Sequence, residues 1–193
     1  QGFQQPTLQI PSSFTSQNPF ELEEREVIRF LVKFGNYPLT TDDDNELLSV
    51  GQYIVRELKV DDLKSVNPVY NKMLASFEAS HAQNAPSIDK YYVTHNDMEV
   101  SQLAIDLLSR EHVLSKIHHR FGNPKKEEDL LVDLVPKVVL ELKSKKVHAL
   151  LDENAKKIKA AQEAKNETIM LQLMTENQKW QNVKVALAKM LGG

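Results

Sequence analysis

The chain has 193 residues, 41% hydrophobic and 26% charged, with a net charge of −3, which is enough for one ordinary domain or a domain with an appendage and lacks the basic excess of a bulk nucleic-acid binder. It contains no cysteine, which excludes disulfides and cysteine-ligated zinc. No apolar run approaches the roughly 20 residues that cross a bilayer, and the first residues lack the basic start and apolar block of a signal peptide. The chain begins with Gln1, so we expect a cytoplasmic module cut from a longer protein. Six glycines and eight prolines are few for this length and lean towards helix.

Residues 1–20 carry no Asp, Glu, Lys or Arg but three prolines, a composition that predicts a flexible linker. From Glu21 the spacing of Leu22, Val27, Ile28, Leu31, Val32 and Phe34 predicts a helix, led by acids that favour its dipole and ended by Gly35 and Asn36 as a cap. The stretch "YPLTTDDDNE" predicts a loop. A second helix is expected from about Leu48 to Leu58, and a third from Asn67-Pro68, with Pro68 suited to the first turn. "SIDKYYVTH" predicts a short helix, and Asp97 caps a fifth that holds Val100, Leu103, Ala104, Leu107 and Leu108. "REHVLSKIHHRF" continues or closely follows it, and "GNPKK" breaks the chain. A long helix is expected from about Glu127 to Ala164, kinked or split at Pro136, which lacks an N–H and clashes with the preceding turn. "KNE", residues 165–167, predicts a turn into a last helix. No alternating strand runs and no internal repeat are visible. The expected class is all-α: a multi-helix bundle over 21–144, then a C-terminal helical hairpin over 145–193.

Three groups of residues invite a catalytic reading. Asp42, Asp43 and Asp44 have the charge to hold magnesium, but no strand aims them and no Gly-rich phosphate loop accompanies them; a solvated inter-helix loop is expected. Glu78 and His81 match half of a helical di-iron motif, but no second Glu-x-x-His occurs. His112 and His119 would lie two turns apart on one helix, too far to share an ion. The rival to a binding module is therefore a helical metal-dependent hydrolase or oxidase built on Glu78, His81 and these histidines, His118 included.

Two features of the C-terminal hairpin point to binding. Lys143, Lys145, Lys146, Lys156, Lys157 and Lys159 are partly balanced by Glu141, Asp152, Glu153 and Glu163; the expectation is a solvated face, with Lys145, Lys146, Lys156, Lys157 and Lys159 as a candidate basic patch. In the last helix Ile169, Leu173, Trp180, Val183, Leu187 and Leu191 form a stripe, and Leu173, Trp180 and Leu187 recur every seven residues on one face. Two helices alone bury little, so Ile169, Met170, Leu173, Met174, Trp180, Met190 and Leu191 are candidate partner-binding residues. The alternative is that the stripe only packs on the preceding helix through Leu151, Ala155 and Ile158.

The stretches "EREVIRFLVKFGN", "HNDMEVSQLAIDLLSREHVLSKIH", "LVPKVVLELK" and "VALAKMLG", in that order from about residue 21 to the end, resemble the C-terminal region of bacterial replicative primases of the DnaG type. The resemblance implies a non-catalytic domain that is similar in fold to the N-terminal domain of the replicative helicase DnaB and docks on it, with the hairpin supplying most of the docking and the bundle modulating helicase activity. In some members the region also binds the C-terminal tail of single-stranded DNA-binding protein. Zinc and magnesium belong to the parent protein's zinc-binding and Toprim domains, and this fragment is expected to hold no cofactor, to bind little nucleic acid and no membrane. The N-terminal domain of the helicase itself is the other non-enzymatic expectation.

Overall fold

The computed structural model describes residues 18–40, 47–82, 87–109 and 126–192. The elements in chain order are α1 (Glu21–Phe34), β1 (Pro38–Thr40), β2 (Leu47–Ser49), α2 (Val50–Val60), α3 (Pro68–Ala82), α4 (Ile88–Val93), α5 (Met98–Ser109), a 3₁₀ turn (Glu127–Leu130), α6 (Leu131–Glu163) and α7 (Glu167–Met190). The class is all-α, a bundle followed by a long helix and a helical hairpin, with one two-stranded ribbon added.

Helix α1 is the axle of the bundle. It touches α2, α3, α4, α5 and α6, and its second half is buried almost all round: Val27, Ile28, Phe30, Leu31, Val32 and Phe34, as expected of a helix with neighbours on every side. Its polar residues bind outward. The Glu127 carboxylate accepts from Arg29 at 2.6 Å and Lys33 at 2.8 Å, docking the 3₁₀ turn, and Arg25 pairs with Asp106 of α5. The core is closed by Tyr70, Met73, Phe77, Tyr92, Val100, Ala104 and Leu107, and by Leu131, Val135, Val139 and Leu142 of α6. The Tyr92 hydroxyl donates to the Met73 carbonyl at 2.7 Å, and burial pushes its pKa well above the usual phenol value.

The expected loop after α1 is instead an antiparallel ribbon, with Leu39 opposite Leu48. Three residues per strand leave no alternation to read, and Leu39 earns its place by full burial. The intervening residues 41–46, including Asp42–Asp44, lie outside the described residues. Ser49 then starts α2 with a reciprocal capping box: its hydroxyl accepts from the Gln52 amide at 3.2 Å, and Gln52 accepts from the Ser49 amide at 2.8 Å.

Gly35 does follow α1, but with φ −51° rather than in the left-handed form. Space explains this glycine. A Cβ at Gly35 would meet the Phe77 ring at 3.0 Å, and one at Gly51 would fall 2.2 Å from the same ring. Phe77 is therefore clasped between two glycine backbones. The left-handed positions go to Asp62 (φ 48°) and Lys165 (φ 52°). At each, the two following-turn amides bond back to the helix: Asp62 to Lys59 and Leu63 to Leu58; Lys165 to Gln162 and Asn166 to Ala161. Both are Schellman stops built without glycine.

Asn67 caps α3 through the Val69 amide at 2.9 Å, and Asp97 caps α5 through the Glu99 amide at 3.0 Å, as their positions predict. Pro136 does not split the long helix; α6 runs through it for 33 residues.

Candidate docking hairpin

One helix serves two cores. Leu131, Val135, Val139 and Leu142 of α6 enter the bundle. Val147 and Leu151 belong to a second, small cluster with Leu187, Leu140 and Trp180. Among the described elements α7 packs on α6 and makes at most an isolated contact elsewhere. Residues 147–163 of α6 thus reach about 25 Å beyond the bundle at 1.5 Å per residue, with α7 folded back along them. The turn is short because Lys165 stops α6 and Asn166 at once caps α7, accepting from the Ile169 amide at 3.1 Å.

The seam between the two helices follows alternating steps of three and four, the spacing of a coiled coil. On α6 it takes Val147, Leu151, Asn154, Ile158 and Ala161; on α7 it takes Met170, Leu173, Asn177, Trp180, Lys184, Leu187 and Leu191. All are buried or half-buried. Counting back from the turn sets Leu151 level with Trp180 and Asn154 level with Asn177. Asn154 is only 6% exposed, and its Nδ2 is, among the described residues, a buried side-chain nitrogen without a hydrogen-bond partner. A polar residue at such a position specifies register at the expense of stability.

The structure divides the seven apolar residues expected to bind a partner. Met170, Leu173, Trp180 and Leu191 turn to the seam; Ile169, Met174 and Met190 face outward, at 46%, 51% and 68% exposure. Ala155, expected against α7, is exposed as well, one step to the side of the seam. Sequence reasoning missed three further outward residues, Leu150 (37%), Leu171 (61%) and Val185 (52%), and put Val183 (40%) in the stripe with the seam residues. Leu150 and Val183 flank the seam on the same side as Ile169 and Met190, whereas Leu171 and Val185 lie on the back of α7 next to Met174. The signal was the seven-residue spacing of Ile169, Val183 and Met190 with Glu176, one position out of phase with the seam. Lys157 belongs to this flank; Glu153, then Glu176 from across the seam, raises its pKa.

The five lysines of the candidate basic patch do not come together. Lys156, Lys157 and Lys159 are exposed on the arm, and Lys157 bonds Glu153 at 2.7 Å. Lys145 and Lys146 turn to the bundle, where Lys145 meets Glu23 at 2.7 Å and Lys146 meets Glu24 at 2.9 Å. Lys143 beside them is shared by Glu57 and Asp61, both at 2.7 Å. Glu24 is almost fully buried. Burial alone would raise its pKa, but hydrogen bonds from the Ser65 hydroxyl (2.6 Å), Lys146, Asn18 (3.0 Å) and the Val66 amide (3.1 Å) hold it below the usual carboxylate value.

For the metal reading, no group of three or more His, Asp or Glu side chains able to hold an ion occurs among the described residues. The Glu78 carboxylate accepts from Lys59 at 2.5 Å. The His81 side chain and His112, His118 and His119 lie outside the described residues. No helix among the described residues is long and apolar enough to cross a membrane.

A family model described as a domain of unknown function matches residues 12–193, taking in bundle and hairpin together. The chain belongs to the DUF8430 family. No curated protein and no solved structure matches it. In this DUF8430 member the family model spans the hairpin arm as well as the bundle, and the arm carries the exposed apolar residues of α7.

Proposed function

We propose that this DUF8430 domain is the non-catalytic, helicase-docking C-terminal domain of a bacterial DnaG-type DNA primase. The observation that carries the reading is the arm: a helical hairpin that packs on itself, projects from the bundle and leaves Leu171, Met174 and Val185 outward on the back of α7. An exposed apolar face containing methionine on a projecting helix suits docking into a groove of another helical protein. The primase-like stretches support it from a second side. They fall on α1, on α5 (residues 110–118 of that stretch lie outside the described residues), on the part of α6 that enters the bundle core and on the end of α7 that returns to the base of the arm, which build the bundle and root the arm.

The domain's task on this reading is tethering. A replicative helicase hexamer carries the primase along DNA, and the tether raises the local concentration of the priming enzyme at the fork to the order of millimolar. Nucleotidyl transfer, with its zinc and magnesium, belongs to the rest of the parent protein, and the domain contributes position.

Size-exclusion co-migration of residues 1–193 with the replicative helicase of the same organism tests the reading. The complex is expected at low salt. The double substitution Leu171→Asp and Met174→Asp, both at exposed positions, should abolish it while helical circular dichroism is unchanged. Absence of any complex with the folded, unsubstituted domain would overturn the proposal.

A further inference from the structure

We propose that the arm is held to the bundle by an ionic latch rather than by apolar packing, and that releasing the latch lets the arm bend away over residues 143–146 of α6. The inference goes beyond the docking reading and does not depend on it.

The first observation is a gap in the packing. Leu142 is the last buried α6 residue in the bundle core, and Val147 is the first buried one in the cluster of the arm, which also takes in half-buried Leu140. Between them the sequence is Lys143, Ser144, Lys145, Lys146, so no apolar side chain of α6 joins the two cores there. The second observation is what fills the gap. Each of the three lysines meets carboxylates of the bundle: Lys143 those of Glu57 on α2 and Asp61 just after it, Lys145 that of Glu23 and Lys146 that of Glu24 on α1. Lys146 also donates to the Lys64 carbonyl at 2.8 Å. The Lys143 and Lys146 side chains are only 10% and 12% exposed, so these are closed contacts rather than surface pairs.

The third observation concerns the helix itself. His148 Nδ1 donates to the Ser144 carbonyl at 2.8 Å, the acceptor that the helical ladder assigns to the His148 amide. A side chain competing for a ladder carbonyl is one of the recognised places where helices bend. The helix is continuous through this carbonyl, which lies in the gap in apolar packing.

The latch also gathers the chain's entry. Asn18 donates to Glu24 at 3.0 Å, and the Lys146 ammonium sits 4.8 Å from the centre of the Phe20 ring. Ser65 and Val66, after α2, bind the same carboxylate. Asn18 and Phe20 before α1, the segment after α2 and the arm thus meet at one ion pair.

Paired spin labels give the test, because a chain without cysteine accepts them only at chosen sites. With Met98→Cys on α5 and Glu163→Cys near the tip, the bundle-to-tip distance distribution should be narrow. Lys145→Met, whose removal leaves only the partly exposed Glu23 unpaired, should broaden it, and Lys146→Met combined with Glu24→Met should broaden it at least about twofold. Raising salt from about 0.1 M to about 1 M, which shortens the screening length from about 10 Å to about 3 Å and acts on the more exposed Lys145–Glu23 pair more than on the closed ones, should broaden it modestly in the otherwise unsubstituted chain. Circular dichroism checks each variant for folding. Should the paired variant unfold, Lys145→Met and the salt series decide. A distribution that stays equally narrow in every folded variant and across the salt series would overturn the latch.

Discussion

The bundle and the arm use the same helix to opposite ends. In the bundle, α6 lays Leu131, Val135, Val139 and Leu142 against a core whose largest members, Tyr70, Tyr92, Phe30, Phe34 and Phe77, are fully buried. In the arm, the same helix meets one partner, buries Val147, Leu151, Asn154 and Ala161, and leaves α7 with Leu187 as its one buried residue. The bundle is fixed by many neighbours per side chain; the arm is fixed by a stripe. The difference teaches that apolar content does not separate core from surface here. Leu171, Met174 and Val185 remain outside because a two-helix seam has room for only two positions in seven.

Substitutions can break or sharpen this contrast, and the largest effect belongs to the bundle. Phe77→Ala should lower stability by about 3–5 kcal/mol in a denaturant titration, because both glycine backbones that clasp the ring are too rigid to close the cavity. At the boundary, Glu24→Ala should cost about 3 kcal/mol, since it leaves Lys146, the Ser65 hydroxyl and the Val66 amide without their shared acceptor. The same group sets an acid limit. Its folded pKa lies below the ordinary 4.5, so its contribution is complete above that value and is lost as pH falls through the lowered one; thermal melts at descending pH should show a loss that Glu24→Gln removes. Gly51→Ala should cost about 1–3 kcal/mol, because the new methyl overlaps the Phe77 ring.

In the arm the signs reverse. Asn154→Leu should stabilise the hairpin by about 1–2 kcal/mol, since it removes an unpaired buried amide; hydrogen exchange confined to α6 beyond Val147 and α7 reads this. Lys165→Gly should add about 1 kcal/mol by relieving a left-handed residue at the tip.

Much of the helical layout was legible because its signals are local. Acids before Val27, Asn67 before Pro68, Asp97 before the run at Val100 and the turn at Lys165–Glu167 all act within one turn of chain. The ribbon was not legible, since three residues per strand leave no alternation to read and Leu39 pairs with Leu48 across a long connection. Gly35 was read for its left-handed backbone, whereas a side chain there would meet the Leu31 carbonyl at 2.5 Å and, at 3.0 Å, a ring 42 positions further on in the sequence. Pro136 was read as a kink or a split, and α6 is not split there; it sits in the second turn, where few ladder bonds are at stake. The outward apolar residues of α7 were half legible. The period of α7 marks a face, but whether Trp180 or Met174 looks outward depends on which side α6 occupies. The lysines misled for a related reason: Lys145 and Lys146 look like neighbours of Lys156 in composition, but they answer to Glu23 and Glu24, more than a hundred residues earlier.

The central claim, a catalytically silent helical module whose arm grips a motor protein, is tested most directly by calorimetric titration of the domain into the replicative helicase hexamer of its own organism. Saturable binding that disappears with Leu171→Asp and Met174→Asp, in a domain that still melts cooperatively, is the predicted result. A fully folded domain that releases no heat at low salt and at two temperatures would contradict it.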